Sequence, residues 1–81
     1  MKKHLKVYIH IKFFATLSKC TPVSAENFPI EPGITVLDLF KQLEVPVDDV
    51  KLIFINNKKG ELTSELRGGE RVGVFPPVGG G

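Results

Sequence analysis

The chain contains one cysteine and two histidines, and each scarcity removes a class of function. With Cys20 alone there is no internal disulfide framework, and His4 and His10 without further ligands make no zinc site. A lone thiol fits a reducing, cytoplasmic setting. No stretch approaches the ~20 apolar residues of a membrane-spanning helix, which predicts a soluble protein with no membrane partner. Charge of one sign is also lacking. Eleven basic and nine acidic residues, spread along the chain, leave a formal charge of +2, so the one-sided field that tracks nucleic acid or anionic lipid is not expected. Met1-Lys2-Lys3-His4 opens like a signal peptide, but Lys6, His10 and Lys12 interrupt the apolar run that such a peptide needs next, so no export signal is read. At 81 residues the chain has room for one core and little room for an enclosed active site of converging side chains.

What is present is strong patterning. From Leu5 to Phe13 every odd position is apolar (Leu5, Val7, Ile9, Ile11, Phe13), while Lys6, Tyr8, His10 and Lys12 alternate with them. This period of two predicts a strand with one buried face. A polar stretch through Lys19, Thr21 and Pro22 leads to a second extended segment over Val23 to Ile30, closed by the turn Glu31-Pro32-Gly33. The two segments predict an N-terminal hairpin. Thr35 is placed to cap a helix with Asp38 in its first turn, and Val36, Leu39, Phe40 and Leu43 follow at helical spacing up to Pro46. Leu52-Ile53-Phe54-Ile55 reads as a further strand, and a minor strand is expected near Glu61 to Thr63. Leu66-Arg67-Gly68-Gly69-Glu70-Arg71 supplies a turn, and Val72 to Phe75 a last strand stopped by Pro76 and Pro77.

The order β-β-α-β-(β)-β predicts an α+β domain over residues 1–81, a mixed sheet with one main helix packed on one face. It is the β-grasp order of ubiquitin-like proteins. Residues 76–81 form an extended C-terminal tail in this reading. Pro76-Pro77 stiffens its start, and Gly79, Gly80 and Gly81, lacking Cβ atoms, suit passage through a narrow channel in another protein. Six residues extended reach roughly 20 Å.

Three stretches carry a resemblance to a known family. They are Lys12-Phe13-Phe14-Ala15-Thr16-Leu17, Leu66-Arg67-Gly68-Gly69-Glu70-Arg71-Val72 and, most specifically, Phe75-Pro76-Pro77-Val78-Gly79-Gly80-Gly81. In these the chain resembles the MoaD/ThiS family of ubiquitin-like sulfur carriers over nearly its whole length, and Phe-Pro-Pro-Val before the glycines resembles the molybdopterin-synthase branch. The resemblance implies that a partner adenylating enzyme uses ATP to activate the Gly81 carboxylate. Sulfur delivered by another protein then converts it to a thiocarboxylate, which the tail (Val78, Gly79, Gly80) presents inside a large subunit that binds the pterin precursor. No cofactor would be bound by this chain, and side-chain catalysis would belong to the partners. The lysine-rich loop Asn56-Asn57-Lys58-Lys59-Gly60, Glu70 in place of a common aspartate, the residues Met1 to His4 and the third glycine depart from the family pattern. The acceptor stays open among molybdopterin, thiazole and tungsten-cofactor synthesis and tRNA thiolation. A ubiquitin-like protein modifier and a binding module with an inert tail are the readings from other classes.

Other residues have plainer roles. Cys20 has only Lys19 nearby to activate it and reads as an idle loop thiol. His4 and His10 fall on the polar face of the first strand, Lys58-Lys59 reads as a solvated turn, and Gly68-Gly69 lacks the lysine and the succeeding helix of a phosphate loop. Phe14 and Phe75 are the exception. Each stands on the opposite phase from the core residues of its strand, which puts both on the outer sheet face with Pro76 and Pro77 as candidate partner contacts. Packing beneath a loop is the equal alternative.

Overall fold

In the computed structural model, which describes residues 6–77, the alternation near the start of the chain becomes a strand with one buried face. Strand β1 (Val7–Phe13) buries Ile9, Ile11 and Phe13 and leaves Tyr8 and Lys12 exposed. Leu5, predicted to open this strand, lies outside the described residues. Strand β2 (Phe28–Ile30) runs antiparallel to β1, with Val7 opposite Ile30 and Ile9 opposite Phe28. The hairpin is therefore present, but its second arm is three residues long, not the predicted Val23 to Ile30. Ala25–Asn27 is a 3-10 turn and Val23 is fully exposed. Only the last three residues find partners on β1, and Pro29, which has no N–H to donate, fits because β2 is a sheet edge. The connecting stretch, expected as a loop, contains a 3-10 helix, Ala15–Cys20. It buries Leu17 in the core and packs Cys20 against it.

Strand β3 (Ile34–Thr35) leads directly into helix α1 (Val36–Leu43). Thr35 is the predicted cap, and the cap is reciprocal. The Asp38 N–H donates to Thr35 Oγ1 at 3.1 Å, and the Thr35 N–H donates to Asp38 Oδ2 at 3.1 Å. The helix buries Val36, Leu39 and Phe40. It stops two residues before Pro46, the expected terminator. Glu44 takes a left-handed conformation (φ 59°), the Val45 N–H donates to Phe40 O at 2.9 Å and the Glu44 N–H to Lys41 O at 3.3 Å. This is a Schellman ending with a glutamate where glycine is usual.

Thr35→Ala removes one half of the cap and is expected to cost about 1 kcal/mol, read from urea titration. The cap also has a pH signature. Hydrogen bonds from the Thr35 backbone and then its side chain hold the Asp38 carboxyl below its ordinary value, with Lys41 a smaller contributor. A carboxyl depressed by folding contributes stability above its unfolded pKa and loses it as pH falls through the folded one. Asp38→Asn should therefore flatten the acid side of a series of thermal melts.

The remaining strands are β4 (Leu52–Ile55), β5 (Lys58–Lys59), β6 (Glu65–Leu66) and β7 (Arg71–Phe75). Asn56 and Asn57 both take positive φ, 54° and 69°, as a two-residue hairpin turn between β4 and β5 requires. The minor strand is not at Glu61 to Thr63. Short strands lie on either side of that stretch: β5 at Lys58–Lys59, read from the sequence as a turn, pairs with β4 through the Asn56-Asn57 turn, and in β6 Leu66 is fully buried and pairs with Ile34 of β3. The main sheet runs β2-β1-β7-β4-β5, with β1 and β7 parallel and the other pairs antiparallel. Helix α1 contributes Val36, Leu39 and Phe40 to one core shared with Ile9, Ile11, Phe13, Ile53, Val72 and Val74. Phe13 and Phe40 meet there with ring centroids 6.5 Å apart. The architecture is the β-grasp, with one sheet face covered and the other open.

Candidate functional site

The open face arises from strand phase. Along β7, Val72 and Val74 are buried, so Arg71, Gly73 and Phe75 point the other way. Along β4, Ile53 is buried, which turns Leu52 and Phe54 outward. Register then decides which outward residues meet. Gly73 lies between Lys12 of β1 and Phe54 of β4, and Phe75 lies opposite Leu52. Phe14 comes directly after the end of β1, its N–H donating to Val74 O at 3.0 Å, and Ala15 turns the chain away at φ 53°.

The absence of a side chain at Gly73 lets two rings cover its backbone. A Cβ placed there would lie 3.5 Å from Phe75 Cε1 and 3.6 Å from Phe14 Cε1. Phe14 and Phe75 stack with centroids 4.1 Å apart and planes 6° from parallel, and Phe54 meets Phe75 at 5.7 Å and 89°. The edge-to-face arrangement of Phe54 and Phe75 is favourable for aromatic quadrupoles. Lys12 Nζ sits 5.3 Å from the centroid of Phe14, within range of a cation–π contact. With His10, Asn57 and Arg71 these residues line an open groove of about 530 Å³.

The groove also marks where the chain leaves the sheet. The Lys51 N–H donates to Phe75 O at 2.8 Å, and with the Phe14 bond to Val74 this ties both sides of the last strand down to its final residue. Pro76, half-buried, and Pro77, exposed, come next. Thus Phe14 and Phe75, singled out in the sequence, meet at one end of the open face, and Pro76 and Pro77 follow Phe75 in the chain without lining the groove. Val78, Gly79, Gly80 and Gly81 lie outside the described residues. The two aromatics stack on each other on the open face, each half-buried.

Phe54 is not singled out by the sequence, because Leu52-Ile53-Phe54-Ile55 is apolar throughout and shows no period from which to read a face. The charge on the face is equally hidden. A nearly even balance along the chain coexists with three central strands, β1, β4 and β7, that contain no aspartate or glutamate and present Lys12 and Arg71 outward. Cys20 packs against the core. Among the described residues no group of three or more His, Cys, Asp or Glu side chains could hold a metal, and no helix is long and apolar enough to cross a membrane.

Comparison with known proteins gives this geometry a context. A model of the ThiS family matches residues 11–81. Among solved structures the chain is similar to a Pyrococcus furiosus protein assigned provisionally as molybdopterin converting factor, subunit 1. The two share 29% identity with a TM-score of 0.67, covering 89% of this chain and 99% of that one. It is also similar to the Haloferax volcanii HVO 2177 protein, with a TM-score of 0.68 over 100% of this chain and 92% of that one, a likeness of fold at 24% identity. No curated protein gives a significant match. The family match takes in the end of β1 with Phe14, the Gly73 floor of the groove and the stretch from Phe75 onward, and the chain belongs to the ThiS family of ubiquitin-like sulfur carriers.

Proposed function

We propose that this protein carries sulfur as a thiocarboxylate on Gly81 and donates it as the small subunit of a molybdopterin-synthase-type complex. The observation that carries the reading is the coincidence of the tail's root with the aromatic groove. Strand β7 ends at Phe75 inside the groove and passes at once into Pro76-Pro77. A partner that covers the groove therefore receives the residues beyond Pro77 at its own surface. The 29% identity to a provisional molybdopterin converting factor subunit favours molybdopterin synthesis over the other acceptors.

The chemistry needs little from this chain beyond a reachable carboxylate. A carboxylate is a poor electrophile. Attack of its oxygen on the α-phosphorus of ATP releases pyrophosphate and leaves an acyl-adenylate. Sulfide supplied by a donor protein then attacks the acyl carbon and expels AMP, so one oxygen leaves with the phosphate and one sulfur remains. The thiocarboxylate is nucleophilic at sulfur and attacks the acceptor held by the large subunit. ATP and all acid–base groups belong to the partners.

The test is intact-protein mass spectrometry after incubation with the cognate adenylating enzyme, ATP and a sulfur source. The expected product carries one sulfur in place of one oxygen, localised to the C-terminal peptide. Modification at Cys20, or none in the presence of a demonstrably active enzyme, would reject the reading. Linkage of Gly81 to target lysines in cells would move the protein to the modifier class.

Docking through the groove predicts a focused energetic contribution from Phe75, which touches both other aromatics. Interfaces concentrate binding in such residues, so Phe75→Ala should weaken the complex with the large subunit by about 2 kcal/mol or more. Calorimetry on the folded variant measures this, and unchanged affinity would remove Phe75 from the interface.

A further inference from the structure

The outer face is more than an apolar patch. Lys12 and Arg71 are both exposed, and they flank Gly73 and the Phe14–Phe75 stack on neighbouring strands. His10 stands opposite Arg71 in the β1–β7 register and lines the same groove. Among the described residues the one ion pair joins Arg67 to Glu65, away from this face, so neither Lys12 nor Arg71 has a carboxylate partner. No acid lies on β1, β4 or β7 to neutralise them. A surface with fixed positive charge beside aromatic side chains is complementary to negative charge beside an apolar side chain.

We propose that the groove selects an acidic segment of a partner protein. An apolar side chain of that segment lodges against Phe54 and Phe75, and flanking carboxylates pair with Lys12 and Arg71. The proposal rests on the outer face being the docking face of the proposed carrier, and it adds the chemistry of what docks there. Arg71 can take a carboxylate in bidentate fashion, whereas Lys12 acts as a point charge held near Phe14. The charges steer the encounter and set its salt dependence, while the aromatics supply the buried contact. Single-stranded nucleic acid is the less suitable occupant of the same charge. Base stacking needs free aromatic faces, and the Phe14–Phe75 stack already occupies one face of each ring.

The test is an NMR titration of the ¹⁵N-labelled full chain with an end-blocked peptide of sequence Glu-Glu-Phe-Asp-Glu. The same peptide with every acid replaced by lysine, and a single-stranded oligouridine, are run in parallel. The acidic peptide should shift amides over residues 10–14 and 71–75, and the effect should fade as salt shortens the Debye length toward about 3 Å. The double variant Lys12→Glu, Arg71→Glu should lose roughly tenfold or more in affinity for the acidic peptide and gain a preference for the lysine peptide. Both positions are exposed, and the dispersion of the variant's spectrum verifies its fold. The single variant Lys12→Gln provides a milder second reading, with a smaller loss in the same direction. Equal binding of the two peptides, failure of the acidic peptide to bind, salt-independent binding or tighter binding of oligouridine would each overturn the proposal. The titration needs neither the adenylating enzyme nor a reactive Gly81. A negative thiocarboxylate assay with a positive titration therefore rejects the carrier chemistry alone, and the reverse rejects the acidic partner alone.

Discussion

Adding one residue after Gly81 is expected to abolish thiocarboxylate formation completely while leaving the melting temperature unchanged. The reacting group in the proposed function is the α-carboxylate of Gly81, and the extension converts that carbonyl into a peptide amide. An amide oxygen carries no full negative charge and shares its electrons with nitrogen, so it does not attack the α-phosphorus of ATP under conditions where a carboxylate does. The new terminal carboxylate lies one residue further along, displaced by about 3.5 Å from the position the adenylating site is built to receive. Reactions that depend on positioning lose orders of magnitude for smaller errors. Stability is untouched because the buried core draws on residues between Ile9 and Val74. Gly80→Ala separates the steric requirement from the chemical one. It keeps the carboxylate but adds a Cβ in the proposed channel, and it should also melt normally and fail in transfer. Cys20→Ser should retain full transfer. Mass spectrometry of each variant after incubation with the adenylating enzyme measures the outcome, and a thiocarboxylate on the extended protein would place the chemistry elsewhere.

The largest effect on stability is expected at Gly68. This residue takes φ +121°, a region open to glycine and strained for other residues. Space is lacking as well. A Cβ at Gly68 would lie 2.7 Å from Val7 Cβ and 2.9 Å from Val7 Cγ2. Val7 cannot retreat easily, since it is paired with Ile30 in β2 and packs against the core. The turn is held from the other side too. The Glu70 carboxylate accepts from the Arg67 N–H at 2.8 Å and the Gly68 N–H at 2.7 Å, and the Gly69 N–H donates to Tyr8 O at 2.7 Å. Gly68→Ala should therefore cost about 3 kcal/mol, combining backbone strain with overpacking. For a domain of this size that lowers the melting temperature by roughly 12–24 °C. Gly69 provides the control. It takes φ +86° with nothing near a Cβ, so Gly69→Ala should show only the backbone part, about 1 kcal/mol. Val7→Ala would keep the Cβ that makes the 2.7 Å contact, so Val7→Gly in the Gly68→Ala background is the change that removes the collision, and it should make the two changes less than additive. Strict additivity would show that the contact with Val7 is not the cause.

The same turn bears on function through position. It delivers β7 alongside β1 in parallel, which brings Arg71 opposite His10 and Val74 opposite Phe13. A shift of one residue would bury Phe75 and expose Val74, dissolving the groove. The hydrogen bonds of Glu70, one of the departures from the family pattern, thus help hold the register that creates the candidate site.

Several features are legible in the sequence because they depend on neighbours along the chain. The alternation from Val7 to Phe13, the reciprocal cap of Thr35 and Asp38, the Gly68-Gly69 turn and the outward phase of Phe14 and Phe75 each come from local geometry at a spacing of two to four residues. The boundaries of the second strand do not. Its length is decided by how many residues face β1, and only three do. Helix α1 ends at Glu44 through bonds from Glu44 and Val45 back to Lys41 and Phe40, and no residue type announces that ending. Strand β6 forms at Glu65–Leu66, where a partner is available in Ile34–Thr35.

The sequence by itself determined the order of β1, β2, α1, β4 and β7 and the residues of most of the core, since these are set by period, turn chemistry and composition. Only the tertiary structure decided that Phe54 joins Phe14 and Phe75, that Lys12 and Arg71 flank them, and that the last strand ends inside the groove they form. These residues are separated by as many as 63 positions, from Lys12 to Phe75. Their proximity depends on the parallel pairing of β1 with β7 and the antiparallel pairing of β4 with β7. Strand pairing is non-local, and a nearly neutral composition carries no record of which charges the sheet will bring to one face.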